Sequence, residues 1–562
     1  MRDRLLRFIA YAAVGVLTGL VVALIEFVTV ELLLHEVLHA PLWVRAITPG
    51  IGLLVAVLIL KFIGRGLSPA TSEEYIAAYH DRKPRVRSIH LPVRLPAGAA
   101  TIGGGGAAGL EGPSIYAGAT IGAAIQHRLR SLFRDKDRKA LLVAGAAAGV
   151  AAIFKAPATG VLFALESPYQ GDVARRALLP ALIASSASYV TFVAFFGTHE
   201  IFSADEILGV RLVEGGDELA QELLRFDRTE LWGAALVGLV AGAGALLFSR
   251  MLKVAKRVST DQPWYLRVVG GATILAGLVL LTDWLYDRPL SMGPSAGDNI
   301  LEWVLEPDHS LGLLILLLGI RMVATTVTLG AGGVGGVFIP LAIFGLIAGR
   351  IVGEVLGDAN AIQIFPFIGL AAFLGAGYRT PLTSVMFVAE STGATEFVVP
   401  GLIAVAVSQV FVGGASVSSF QKATRSGHLE RRFRLPVTSA LRTDVKTIEP
   451  DTTLNDFVWN HALRHKELDV VVADGERYLG MAQIHDASIF DRDTWGTARV
   501  SQIMRRVRPA RLSMTLREAT EVMEEQDVDK IPVTDGTGRF VGVVLSDDIL
   551  KLDEILEETS SQ

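Results

Sequence analysis

The stretch GGGGAAGLEGPSI, residues 103–115, holds a single carboxylate, Glu111, in an otherwise uncharged run dense in glycine and apolar residues. An unpaired carboxylate at bilayer depth costs several kcal/mol to bury, so an acid retained there argues for function. Pro113 follows two residues later. Proline suits the first turn of a helix, whose free N–H groups and positive dipole end then point back over residues 109–112. Such an end is an anion site built from main chain. The glycines let a ligand approach it, and ionised Glu111 is placed to occupy the site itself as a tethered anion. The plainer reading has the glycines packing membrane helices together and Glu111 snorkelling to an interface.

A second copy favours the anion site. Sliding the chain against itself by 224 residues lays 109–115 (GLEGPSI) over 333–339 (GVGGVFI), matching Gly109, Gly112 and Ile115. At the same offset 156–167 (APATGVLFALES) lies over 380–391 (TPLTSVMFVAES), with six of twelve positions identical. Repeated halves with short, Gly/Pro-interrupted hydrophobic segments point to a transporter whose site lies at the repeat interface. Converging helix N-termini select an anion as its cargo.

Composition agrees. The chain has 562 residues, 51% hydrophobic and 19% charged, with a mean hydropathy of +0.45, which is the profile of an integral membrane protein. A net charge of −5 spread over the chain argues against a nucleic-acid partner. The absence of cysteine excludes disulfides, thiolate metal sites and cysteine nucleophiles. The start, MRDRLLRFIAYAAVGVLTGL, has an apolar run too long for a signal peptide and reads as a retained first helix.

Apolar stretches at about 5–35, 42–64, 176–197, 231–249, 266–286 and 309–329 are each long enough to cross a bilayer of about 30 Å. Between them lie Gly/Ala-rich pieces at about 91–126, 139–166, 336–356, 361–376, 381–391 and 397–418, several too short or too broken to cross. Residues 127–139 carry six basic and two acidic residues, and 250–267 five and one, so both loops are expected in the cytoplasm. Residues 198–230 carry nine acids and three basic residues and are expected outside. Parity then requires 139–166 to enter and return on one side, turning at Lys155, Ala156 and Pro157. These patterns divide the chain into a membrane domain over 1–420, a basic linker over 421–434 and a polar module over 435–558. That module reads as two similar units of about 55 residues, each a helix (453–465 and 515–526) followed by strand, turn and strand.

These residues resemble the CLC chloride channels and chloride/proton exchangers. The family's GxEGP motif reads Gly109-Leu110-Glu111-Gly112-Pro113, and its GGxFxP motif reads Gly335-Gly336-Val337-Phe338-Ile339-Pro340. The tail resembles the paired CBS domains of some members. The resemblance implies an all-α polytopic membrane domain of inverted repeats with re-entrant helices, a small cytoplasmic α+β CBS pair, and a homodimer with one pore per subunit. By position it makes Glu111 the gate. The main-chain N–H groups of Leu110, Glu111, Gly112, Val337, Phe338 and Ile339 become the anion cradle.

Three departures matter. The family's serine-bearing GSGIP loop falls near residues 69–73, where Ala70 replaces the serine and Thr71 or Ser72 is left to present a hydroxyl. The family's pore-lining tyrosine aligns with Ser418. The inner proton-carrying glutamate of exchangers aligns with Ser167, beside Glu166, whose repeat partner Glu390 points to a capping role instead. The expectation is therefore passage of chloride-like anions, channel-like or weakly proton-coupled, with a chloride/proton antiporter as the alternative. The setting is the plasma (inner) membrane, with the bilayer, small inorganic anions and a second subunit as partners and the tail in the cytoplasm. No resident cofactor is expected beyond chloride as ligand. An adenine nucleotide at the CBS pair is a further expectation, with Asp486 and Asp548 where such domains hold a ribose. A rival of another class rests on His35-Glu36-Val37-Leu38-His39, an HExxH match of intramembrane zinc proteases. Its third ligand is not apparent in any later hydrophobic segment.

Overall fold

A helix needs about 20 apolar residues to cross the hydrocarbon of a bilayer. The computed structural model contains eight such helices among the described residues: Arg2–His39, Leu42–Ile63, Arg175–Phe196, Leu231–Asp261, Trp264–Tyr286, Leu311–Gly330, Phe338–Leu356 and Ala361–Tyr378. It describes residues 2–81, 86–133, 137–198, 228–294, 299–306, 309–357 and 359–423, and in the tail 433, 435–465, 467–526, 528–549 and 552. Most of the acidic loop at 198–230 and of the linker at 421–434 lies outside the described residues.

Six of the eight match the long apolar stretches. The other two, Phe338–Leu356 and Ala361–Tyr378, fall among the six Gly/Ala-rich pieces, several of them expected to be too short or too broken to cross, and are long and apolar enough to do so. The glycines lie at helix contacts. A Cβ on Gly349 would strike the carbonyl of Phe365, and one on Gly369 the carbonyl of Gly345. The first half packs in the same way: helix Glu111–Arg128 crosses helix Arg138–Ile153 where Gly118 and Gly145 each leave room only for the other's carbonyl. Small residues let helix backbones approach closely where lipid supplies no hydrophobic drive to associate.

Helices Arg138–Ile153 and Pro157–Glu166 form a hairpin, with Gly160 against Ala147 and Ala151. Lys155 makes the turn at φ +50°, and Arg379 makes the equivalent turn of the second half at φ +59° before helix Pro381–Thr392. The two short helices are capped across the repeat. Glu166 accepts from Leu382 N–H (3.1 Å), Thr383 N–H (2.8 Å) and the Thr383 hydroxyl (2.5 Å). Glu390 accepts from Ala158 N–H (2.9 Å), Thr159 N–H (2.7 Å) and the Thr159 hydroxyl (2.6 Å). Each carboxylate meets orphan donors at a positive helix end, where charge-assisted bonds are strong.

The first compact unit runs through Arg425. Gln421, assigned to the linker by composition, is held inside it: its amide donates to the carbonyls of Ser167 (2.9 Å) and Tyr378 (2.7 Å). Lys422 pairs with Tyr169.

The second unit contains two three-stranded sheets of the same plan. Strand β1 (Thr447–Ile448) pairs parallel to β2 (Asp469–Asp474), which pairs antiparallel to β3 (Arg477–Gln483). Strands β4 (Ala510–Arg511), β5 (Lys530–Thr534) and β6 (Phe540–Leu545) repeat that order. Phe540 N–H donates to Glu476 O at 2.8 Å and joins the two. In the second, Thr515 and Glu518 form a capping box on helix Leu516–Glu525. The Thr515 N–H and hydroxyl hold the Glu518 carboxyl below its usual range. The stabilisation from this cap is therefore present above the ordinary carboxylate range and lost as pH falls through the lowered value.

Two outcomes are expected from this packing. Gly118→Val costs about 1–3 kcal/mol or more through overpacking, read as a lower unfolding temperature of the detergent-solubilised chain, whereas Gly270→Ala, inside a helix with open space around it, does not lower that temperature. Glu390→Ala orphans the N–H groups of Ala158 and Thr159 and destabilises by about 1–3 kcal/mol per unpaired group, and a melting curve equal to the parent's would refute the cap.

Candidate functional site

The two glycine motifs meet. Gly109 N–H donates to Gly336 O (2.9 Å) and Gly336 N–H to Gly109 O (2.7 Å), a two-residue antiparallel bridge between the halves. A Cβ on either glycine would run into the carboxylate of Glu111, so the carboxylate can hold this seat only with both positions bare. Helices Glu111–Arg128 and Phe338–Leu356 start on either side of this bridge, and each carries proline at its third residue. Their first closed bonds are Ser114 N–H to Leu110 O (3.0 Å) and Leu341 N–H to Val337 O (2.9 Å). The N–H groups of Glu111, Gly112, Phe338 and Ile339 thus precede any intrahelical acceptor. Leu110 and Val337 take the cap positions just before the two helices.

Glu111 is fully buried. Its Oε1 accepts from Phe338 N–H at 2.5 Å, and its Oε2 has no donor in the protein. The carboxylate of the first half therefore sits on the helix end of the second. Around it the Phe338 ring stacks on Phe154 (centroids 4.3 Å apart) and meets Phe387 (4.9 Å) and Phe163 (5.6 Å) edge-on. Phe338 serves packing with its ring and the carboxylate with its main chain.

Below the bridge lies a cavity of about 300 Å³, lined in part by Thr71, Ser72, Gly336, Val337, Tyr378 and Ser418. Thr71 precedes helix Ser72–His80 but its hydroxyl does not cap it. Thr71 Oγ1 and Ser418 Oγ are both buried with no protein partner. Ser418 is fixed by its neighbours: its N–H donates to Ser416 Oγ (3.1 Å), and Val417 N–H donates to Gly377 O (3.0 Å). Ser72 is on the same wall. Composition and motif reading missed Tyr378. Its phenol is 2% exposed and near the Val337 N–H and the Ser72 hydroxyl, without closing a well-formed bond to either. The signal was present in the repeat, because the offset of 224 lays Tyr378 over Phe154 and adds a hydroxyl to one copy only. Buried hydroxyls without partners are costly, so three around one cavity mark a place for a hydrogen-bond acceptor.

The other candidate residues lie elsewhere. Ser167 is buried and outside the cavity lining, near Tyr75, whose hydroxyl donates to Ala164 O (2.7 Å). Glu166 is committed to its cap. Asp486 is held by Arg505, with Nε to Oδ2 at 2.9 Å, and Asp548 by Arg442, at 2.6 and 2.5 Å. His35, Glu36 and His39 occupy one helical turn with no buried residue, and His39 Nδ1 lies 2.8 Å from His35 O. Among the described residues no group of three or more His, Asp or Glu is arranged to hold a metal.

The family and the fold are matched among known proteins. The family model described as voltage gated chloride channel matches residues 51–413, and a CBS domain model matches residues 500–554, the second tail unit. Among solved structures, a slow cyanobacterial Cl−/H+ antiporter superposes with a TM-score of 0.62 at 22% identity, covering 73% of this chain and 96% of its own. A CLC-type fluoride/proton antiporter gives 0.61 at 22%, covering 74% and 98%. A eukaryotic CLC transporter gives 0.59 at 19%, covering 98% and 99%. At these identities the likeness is one of fold. The match over most of the membrane unit places the chain in the CLC family of anion transporters, with a CBS domain in its tail.

Proposed function

We propose that chloride-like anions pass through the seat filled by the Glu111 carboxylate, and that Glu111 is the gate. The observation behind this reading is the 2.5 Å bond from Phe338 N–H to Glu111 Oε1. A charged carboxylate competes with an anion for that helix end. Protonation removes the competition, and the side chain leaves the seat. Thr71, Ser72, Tyr378 and Ser418 then supply hydroxyl donors to an anion below it. The N–H groups of Glu111, Gly112, Phe338 and Ile339 supply the main-chain part, framed by Leu110 and Val337.

Flux is channel-like or weakly coupled to protons in this reading. Serine cannot carry a proton by ionising, and Glu166 is bound in a cap, so Ser167 and Glu166 offer no inner relay. The second reading is a proton antiporter, favoured by the chemistry of two structural neighbours. The working assembly is a homodimer in the plasma membrane with its tail in the cytoplasm. An adenine nucleotide at the CBS pair would have to displace Arg505 from Asp486 and Arg442 from Asp548.

In proteoliposomes, Glu111→Gln makes anion flux less dependent on pH, and a pH profile identical to the parent's counts against the gate. With the parent protein, a pH gradient leaves the zero-current voltage at the anion's Nernst value, whereas a steep stoichiometric shift selects the antiporter. Tyr378→Phe removes one neutral donor worth about 0.5–1.5 kcal/mol, so apparent chloride affinity falls about 2- to 13-fold with the fold intact. Equal affinity would remove Tyr378 from the path.

A further inference from the structure

The cavity below Glu111 has a charged end that the gating scheme does not use. Its lining includes Glu73, Lys256, Ser259, Thr260 and Arg267. The Lys256 side chain is 41% exposed and that of Glu73 20%, while Thr71 and Tyr378 are 2% exposed, so the charges stand at the open end and the hydroxyls at the closed end. Lys256 and Arg267 flank the turn at 262–263, within the loop whose basic charge marks it as cytoplasmic.

Two adjacent acids begin the helix that follows Thr71, and they have different partners. Glu74 pairs with the buried Arg94, whose guanidinium also lies 4.4 Å from the Tyr116 ring. That is a packed structural contact. Glu73 faces the cavity and meets Lys256 Nζ at 2.7 Å. Among the described residues Arg267 has no carboxylate as a hydrogen-bond partner: its NH1 donates to Ser259 Oγ at 2.8 Å, and its Nε is buried without an acceptor. Two cations, one partly unsatisfied, therefore share the open end with one tethered carboxylate.

We propose that Lys256, Arg267 and Ser259 form an entry site for small inorganic anions, and that Glu73 occupies it as a built-in competitor. This rests on the reading that anions travel through the cavity. An arriving halide or nitrate takes the place of the Glu73 carboxylate on Lys256 and moves inward to the hydroxyls of Thr71, Tyr378 and Ser418. With Glu73 ionised the lining carries one net positive charge. Without it the lining carries two, and a cleft of one sign raises the local concentration of the opposite ion.

The test is chloride and nitrate efflux from proteoliposomes carrying the full chain, at low and at high ionic strength. Glu73→Gln raises efflux at low anion concentration by about 3-fold or more, and the gain shrinks at high salt because the charges at the open end are screened. Lys256→Met lowers efflux at low anion concentration and leaves the saturating rate unchanged. Glu73→Gln in the Lys256→Met background gives a smaller gain, because Arg267 is then the one cation left at the entry site. Efflux that falls or stays level in a well-folded Glu73→Gln, or a gain undiminished by the loss of Lys256, overturns the proposal. Should Glu73→Gln fail to fold, a Lys256→Met rate equal to the parent's at every anion concentration overturns it alone. Glu111→Gln is assayed beside them. If that variant loses pH dependence while the Glu73 and Lys256 variants match the parent, the entry site fails and the gate stands. If all match the parent, the cavity is not the path.

Discussion

A carboxylate with no cation beside it can stay inside a membrane domain only where the main chain donates to it, and Glu111 on the Phe338 N–H meets that requirement. The rest of the membrane unit follows from the need to bring a helix end of one half to an acid of the other. Two glycines must face each other so that the carboxylate can lie between the strands of the bridge. Proline at the third residue of each helix limits how many donors turn inward. Close glycine contacts then set the spacing of the long helices that carry these ends.

The proposed anion path combines two kinds of donor. At the gate the donors are main-chain amides, fixed in direction and independent of side-chain choice. In the cavity they are hydroxyls from three separate segments, at Thr71, Tyr378 and Ser418. Hydroxyl donors rotate, and exchanging one residue alters size and polarity together. On the proposed reading, selectivity among anions is tuned in the cavity, and the amide seat stays constant.

Much of this was legible in the chain. Glu111 stood out because charge in an apolar run is rare, and the offset of 224 residues tied it to 333–339 before any coordinates. The Lys155 turn followed from charge parity, and the structure shows the hairpin. Which of the Gly/Ala-rich pieces are full-length helices was not legible, because glycine weakens helices in water yet serves as a contact surface between helices in lipid, as in 338–356 and 361–378. Tyr378 was passed over because a phenol in an Ala/Gly-rich helix reads as packing, and only its place beside Val337 and Ser418 gives the hydroxyl meaning. The Glu73–Lys256 pair joins residues 183 apart, a separation that local pattern does not reach.

The crossed caps carry a consequence for biogenesis. Ala158 and Thr159 leave the ribosome more than 200 residues ahead of the Glu390 that completes them, as the separations of 232 and 231 positions show. Until the later half is made, the earlier hairpin exposes dangling amides within the hydrocarbon. The N-terminal half is consequently a dependent fragment, unable to complete this cap from its own residues. Truncation between the halves would yield a chain that enters the membrane without reaching a finished state.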